Sequence, residues 1–141
     1  MRAILALMMM MMMMALTLPA AGQDDAAPWQ AVVSGQIGAL HEQDGPRALS
    51  FASEGFRTQF AEQPEAFLIA VEASGYGPIV YSRSHSFGSF ERVSASVVAQ
   101  VVKFVGPDQS LYEALYQLGD EPGQGWRVLG VALRKAPGIG I

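Results

Sequence analysis

An α+β domain, with helices packed on one face of an antiparallel sheet, is what three features of this 141-residue chain predict. Apolar residues recur at helical spacing from Trp29 to Val71, and beyond Gly77-Pro78 the period changes to two. The segments after that point are joined by connections so short that they fit only antiparallel neighbours.

The first helix starts at Pro28, where Trp29, Val32, Val33, Ile37 and Leu40 form an apolar stripe, and it is predicted to end near Gln43 because Gly45-Pro46 follows. Residues 47–53 form a short second helix burying Leu49 and Phe51, and residues 54–60 add a turn burying Phe56 and Phe60. Gln63-Pro64-Glu65 puts proline and an acid in a first helical turn, and Phe67, Leu68 and Val71 carry the stripe until Gly75 stops it. Four strands follow, over residues 79–87, 90–105, 111–119 and 125–135. Gly88-Ser89, Gly106-Pro107-Asp108 and Asp120-Glu121-Pro122-Gly123 separate them with turn compositions, which predicts a meander. In the first strand Ile79, Tyr81, Arg83, His85 and Phe87 share a face; in the third, Tyr112, Ala114, Tyr116 and Leu118 do. The second strand is apolar on both faces, as a central or strongly bent strand would be.

Ahead of this domain stand Met1-Arg2, an apolar run over residues 3–18 with seven consecutive methionines, and the tail Pro19-Ala20-Ala21-Gly22. One early positive charge, an apolar centre and a small-residue end are the pattern of a secretory signal peptide, so the chain is expected to be exported to the periplasm or secreted. Small Ala20 and Gly22 predict cleavage after Gly22. An uncleaved anchor is the rival, because the run approaches the ~20 residues of a spanning helix, but the proline and small residues that close it favour cleavage and leave no stable membrane span. The expected division is residues 1–22 leader, 23–27 polar lead-in, 28–136 one domain and 137–141 tail.

With no cysteine, the chain can carry neither a disulfide framework nor a lipidated cysteine. Beyond residue 22 all thirteen acidic residues remain beside eight basic ones, and no basic cluster offers a footprint for nucleic acid. Asparagine is absent, so there is no glycosylation sequon. Two histidines without cysteine do not make a familiar zinc site, and Glu42-Gln43-Asp44-Gly45 lacks the repeated oxygen ligands of a calcium loop. Gly75-Tyr76-Gly77-Pro78 and Gly123-Gln124-Gly125 read as turns rather than phosphate cradles, so no cofactor is expected.

Three sets of residues carry a family likeness: Phe51-Ala52-Ser53 with Phe56-Arg57 and Phe60; Pro64-Glu65-Ala66-Phe67 with Val71 and Tyr76; and Gly125-Trp126-Arg127-Val128 with Gly130-Val131 and Leu133. Together they resemble the bacterial domain-of-unknown-function family 4864. The resemblance implies a small exported protein with the cone-like α+β fold of the nuclear transport factor 2-like superfamily, also described as a cystatin-like cone. There a curved four-stranded antiparallel sheet wraps N-terminal helices around a pocket, and homodimers through the outer sheet face are common. Ketosteroid isomerase, scytalone dehydratase and polyketide cyclases share that superfamily with many non-catalytic proteins, so the resemblance implies no activity.

Chemistry of the isomerase type needs a general base near the substrate and donors for an oxyanion. No carboxylate shares a strand face with the tyrosines: Glu113 alternates against Tyr112 and Tyr116, and Glu91 sits near a turn. The constellation with most chemical potential is Tyr81, Arg83 and His85, joined by Tyr112 and Tyr116 if the faces coincide, which would bind an acidic ligand. The plainer reading has Arg83 solvated and the tyrosines at the edge of the core. His41 fits the C-terminal end of the first helix, Asp44 a turn or helix start, and Trp126 a core strand. The expected function is thus a non-catalytic module that binds a small apolar or acidic ligand or another protein. The alternative is an isomerase or dehydratase with His85 or Asp44 as base and a tyrosine as acid.

Overall fold

The computed structural model describes residues 26–137. The leader expected over residues 1–22 and the last four residues of the chain lie outside that range. Helix α1, Pro28–His41, starts with a proline at its first turn, where the ring's fixed φ suits the helix and the missing N–H has no partner to lose. It buries Trp29, Val33, Gln36, Ile37 and Leu40. Gln43 then takes a left-handed φ of 58°, which turns the chain sharply into α2, Gly45–Ser50. Asp44 caps α2 by accepting the Arg47 N–H at 3.1 Å. Helices α3, Glu54–Gln59, α4, Ala66–Ala73, and the single turn α5, Gly77–Val80, complete the helical layer.

The sheet is a four-stranded antiparallel meander in the order β1, Ser84–Ser94, β2, Val97–Val105, β3, Leu111–Glu121, and β4, Gly125–Lys135. Helices cover one face of this curved open sheet, and the predicted fold class holds. On the covered face the register aligns His85 with Phe104 and Tyr112, and Gln100 with Tyr116 and Val131. Val98, Val102, Phe104, Ala114, Tyr116, Leu118 and Val128 are its buried floor. Leu111, Leu115 and Leu129 remain exposed and alternate with that floor on the other face.

The second helix expected over residues 47–53 is Gly45–Ser50, because residues 51–53 pair with β4 instead, the third strand runs on to Glu121, and two boundaries move further. The strand expected over residues 79–87 begins only at Ser84, because Gly77-Pro78 opens a helical turn instead and the Tyr81 N–H closes it on the Gly77 carbonyl. Ile79 and Val80 are both buried, which adjacent residues achieve on a short helix but not on a strand with one covered face. The long strand expected over residues 90–105 is in fact two, since the chain reverses at Ala95-Ser96 and Gly88-Ser89 lies within β1. There the register slips between Phe87 and Phe90, a bulge rather than a turn. A Cβ on Gly88 would stand 3.1 Å from a Val101 methyl, so a glycine is what this close approach admits.

The link between α2 and α3 pairs with β4. Ser53 N–H donates to Val128 O at 2.9 Å, and Val128 N–H donates to Phe51 O at 2.8 Å. This short parallel bridge from Ala52 to Val128 covers part of the β4 edge and holds α3 beside the sheet. Arg57 and Glu121 reinforce it through an ion pair of 3.0 Å, and Glu121 also accepts the Glu54 N–H at 2.9 Å.

Candidate functional site

Between the covered faces of β3 and β4 and the helices lies an open-mouthed cavity of about 270 Å³. α1 contributes Gln36 and Leu40, and α4 contributes Phe67, Ala70 and Val71. One wall is aromatic: the Phe67 ring meets Phe60 at 5.4 Å and Phe56 at 6.3 Å, both edge to face. The floor is Tyr116, Val128 and Val131. None of the described residues that line the cavity is charged.

Its polar groups are few. Tyr76 donates its hydroxyl to the Val131 carbonyl, tying the α4–α5 link to β4. Gln36 is buried, and its Nε2 donates to Ala48 O at 3.2 Å. Tyr116 is 1% exposed. Burial, then the neighbouring Tyr76, push its phenol well above the usual range, so it stays a neutral donor. Among the described residues Arg127 Nε is the fully sealed side-chain polar atom without a partner. The Tyr116 hydroxyl has no hydrogen-bond partner among the described residues and is not one of the sealed unpaired atoms, so it is the cavity that keeps it accessible.

Of the five residues expected to gather on one sheet face, Tyr116 alone lines this cavity. Tyr81 follows α5, is half exposed, and donates to Glu72 Oε1 at 2.8 Å, a bond that raises its phenol's pKa. Arg83 precedes β1 and is exposed; its backbone N–H donates to Val105 O. Neither stands on a strand, because the helical turn displaced the start of β1. His85 and Tyr112 do share the covered face with Tyr116, yet the register sets them beside Phe104 and away from the cavity. Tyr112 reaches Asp108 at 3.5 Å instead.

His85 belongs to a second polar cluster. Its Nε2 lies 3.1 Å from Ser34 Oγ, while His41 Nε2 lies 2.9 Å from Ser82 Oγ. Burial lowers the His85 pKa, and the charge of His41 lowers it further. His41 thus meets a hydroxyl rather than the last carbonyls of α1. Asp44 is the cap of α2, and Trp126 packs edge to face on Trp29 at 5.3 Å. Both bases weighed for an isomerase-type site, His85 and Asp44, therefore lie outside the cavity. No group of three or more metal-ligating side chains occurs among the described residues.

The sequence left the polar lining residues Gln36, Gln59, Ser74 and Tyr76 unnoticed as site residues. Gln36 follows Trp29 and Val33 and precedes Leu40 on the inward face of α1, and a polar residue in an apolar stripe is a readable signal. Tyr76 was absorbed into a glycine-rich turn, and nothing in its neighbours marks it as a wall residue.

A family model described as a domain of unknown function, DUF4864, matches residues 22–141. Among solved structures, the fold is similar to the crystal structure of a domain of unknown function with a cystatin-like fold from Nostoc punctiforme. The match covers 77% of this chain and 75% of that one, at 16% identity and a TM-score of 0.53, and speaks for the fold alone. A comparison with curated proteins found no match.

Proposed function

The chain belongs to the domain-of-unknown-function family DUF4864, and we propose that it is a non-catalytic binding module whose cavity holds a small, uncharged, apolar molecule. One observation carries this reading: a cavity of about 270 Å³ walled mostly by aromatic and aliphatic side chains, with Gln36, Gln59 and Ser74 as neutral polar members and no charged group. An apolar cavity of ~150 Å³ suffices for benzene in another protein, so this one has room for about two fused rings. The acidic ligand weighed from the sequence depended on Arg83, which does not line the cavity. No carboxylate or imidazole among the lining residues offers a general base.

The test is a fluorescence titration with the neutral dye N-phenyl-1-naphthylamine. Brightening is expected with the wild-type domain and lost in Ala70→Trp, where an indole on the half-buried face of α4 occupies the cavity. Circular dichroism confirms that the variant keeps its fold. Equal brightening by both proteins would remove the cavity from the reading.

Export follows from the composition of residues 1–22 and is proposed with the same reading. Mass spectrometry of the envelope fraction is expected to find a chain beginning at Gln23. A second role, association of two copies through the outer sheet face, is favoured by exposed Leu111, Leu115 and Leu129. Sedimentation of wild type and Leu115→Lys reads it directly, as a dimer that the substitution splits.

A further inference from the structure

We propose that Tyr116 selects the cavity's ligand, and that the ligand class is a neutral apolar molecule carrying one oxygen acceptor, a ketone, aldehyde or ester, to which the phenol donates. The inference rests on the cavity reading and deepens it. A buried hydroxyl is nearly always hydrogen-bonded, because leaving water without a new partner is costly. Tyr116 meets that rule only through the cavity: it is 1% exposed, lies on the cavity floor, has no hydrogen-bond partner among the described residues, and is not among the sealed unpaired atoms, so its hydroxyl is left to whatever fills the cavity. Its neighbour shows the contrast, since the Tyr76 hydroxyl is satisfied by the Val131 carbonyl on the adjacent strand.

Position makes the phenol hard to avoid. Tyr116 sits in β3, paired with Gln100 on one side and Val131 on the other, so the sheet register holds its backbone in place. The Phe104 ring stands 6.5 Å from its own and limits the directions it can take. A ligand that fills the apolar volume must cover the hydroxyl, and one that offers no acceptor there leaves it unpaired. Gln36, whose Nε2 is used by Ala48 O, leaves its Oε1 beside Gln59 and Ser74 among the lining's acceptors for a ligand hydroxyl. A carboxylate gains the same bond from Tyr116 but enters a cavity without a cation to offset its lost hydration. Recognition of an acceptor by a buried polar group discriminates well, because the wrong ligand orphans the group.

The experiment compares three probes of one shape, 2-acetylnaphthalene, 2-isopropylnaphthalene and 2-naphthoate, by displacement of N-phenyl-1-naphthylamine from wild type and Tyr116→Phe. The ketone is expected to bind about five-fold more weakly to Tyr116→Phe than to wild type. The hydrocarbon, which leaves the phenol unpaired in wild type, should bind Tyr116→Phe about five-fold or more tightly than wild type, and the naphthoate should be rejected by both. Ketone affinity that is the same in both proteins overturns the role of Tyr116 and leaves the cavity standing. If no probe displaces the dye from wild type, the cavity reading fails and takes this inference with it. Naphthoate bound as tightly as the ketone overturns the requirement for neutrality. The infrared carbonyl band of the ketone bound to wild type needs no variant: it should fall below its position in hexane, and an unshifted band also overturns the proposal.

Discussion

Gln100 is the residue whose loss the structure prices most clearly. It is fully buried in the middle of β2. Its Oε1 accepts Trp29 Nε1 at 2.8 Å and Gln30 Nε2 at 3.2 Å, and its Nε2 donates to the bulge carbonyls of Gly88 and Ser89 at 3.0 and 3.3 Å. One amide thus ties α1 to the irregular point of β1. In Gln100→Leu the volume is nearly kept, but Trp29, itself 2% exposed, holds an indole N–H with no partner and no route to water. An orphaned buried donor costs about 1–3 kcal/mol. The half-buried Gly88 carbonyl adds about 1 kcal/mol, while Gln30 can turn to solvent, so a net loss of about 3 kcal/mol is expected. Urea unfolding followed by circular dichroism should then show the midpoint falling by about 1 M or more at unchanged slope. Removing the donor as well, in Trp29→Phe with Gln100→Leu, should cost about 1 kcal/mol less than the two single losses together. A Gln100→Leu domain within about 0.5 kcal/mol of wild type would refute this account of the bulge and the helix anchor.

Three further outcomes follow from the same geometry. Tyr116→Phe removes a hydroxyl that has no partner among the described residues, so the unliganded domain should be neutral or up to about 1 kcal/mol more stable in urea, and a loss of stability would mean the hydroxyl is bonded after all. Asp44→Ala should lose about 1 kcal/mol through the missing cap of α2, with dye binding unchanged; lost binding would return Asp44 to the site. His85 has a folded pKa below its ordinary 6.5, so the unfolded chain takes up its proton more readily. Stability is full above that value and falls as the pH drops from 6.5 through the lowered one. Between about pH 8 and about pH 5 the wild type should therefore lose more stability than His85→Gln, as read by thermal melts, and parallel losses would contradict this placement of His85.

The α+β architecture, the meander, the first helix and the third and fourth strands were legible because each rests on a strong local signal. Pro28 starts α1, period two runs cleanly through β3, and Gly125 and Lys135 bound β4 as expected. The errors cluster where one local signal has two structural meanings. Gly77-Pro78 serves equally as the turn before a strand and as the first turn of a helix, and burial of both Ile79 and Val80 decided for the helix. Gly88-Ser89 has the composition of a turn, but it is also what a bulge needs where Val101 approaches, and only the pairing of β1 with β2 distinguishes them. The real reversal at Ala95-Ser96 has neither glycine nor proline to announce it.

The same misplacement explains the candidate site. Alternation along one strand put Tyr81, Arg83 and His85 on a shared face, and a helical turn of four residues is enough to scatter them: Tyr81 to Glu72, Arg83 to solvent, His85 to Ser34. Tyr116 survived because its neighbours in β3 truly alternate, and the register with Gln100 and Val131 then set it on the cavity floor. The opposing wall could not be read from spacing at all. Phe56, Phe60 and Phe67 face Tyr116 because residues 51–53 pair with the edge of β4 at Val128, a contact spanning some seventy-five positions that no local pattern encodes. That bridge is therefore what makes a cavity out of a covered sheet: it holds α3 against the β4 edge, leaving the floor beyond it to be closed by side chains that are mostly apolar and none of them charged. A charged ligand finds no counterpart in such an enclosure, whereas a neutral one with a single acceptor finds Tyr116.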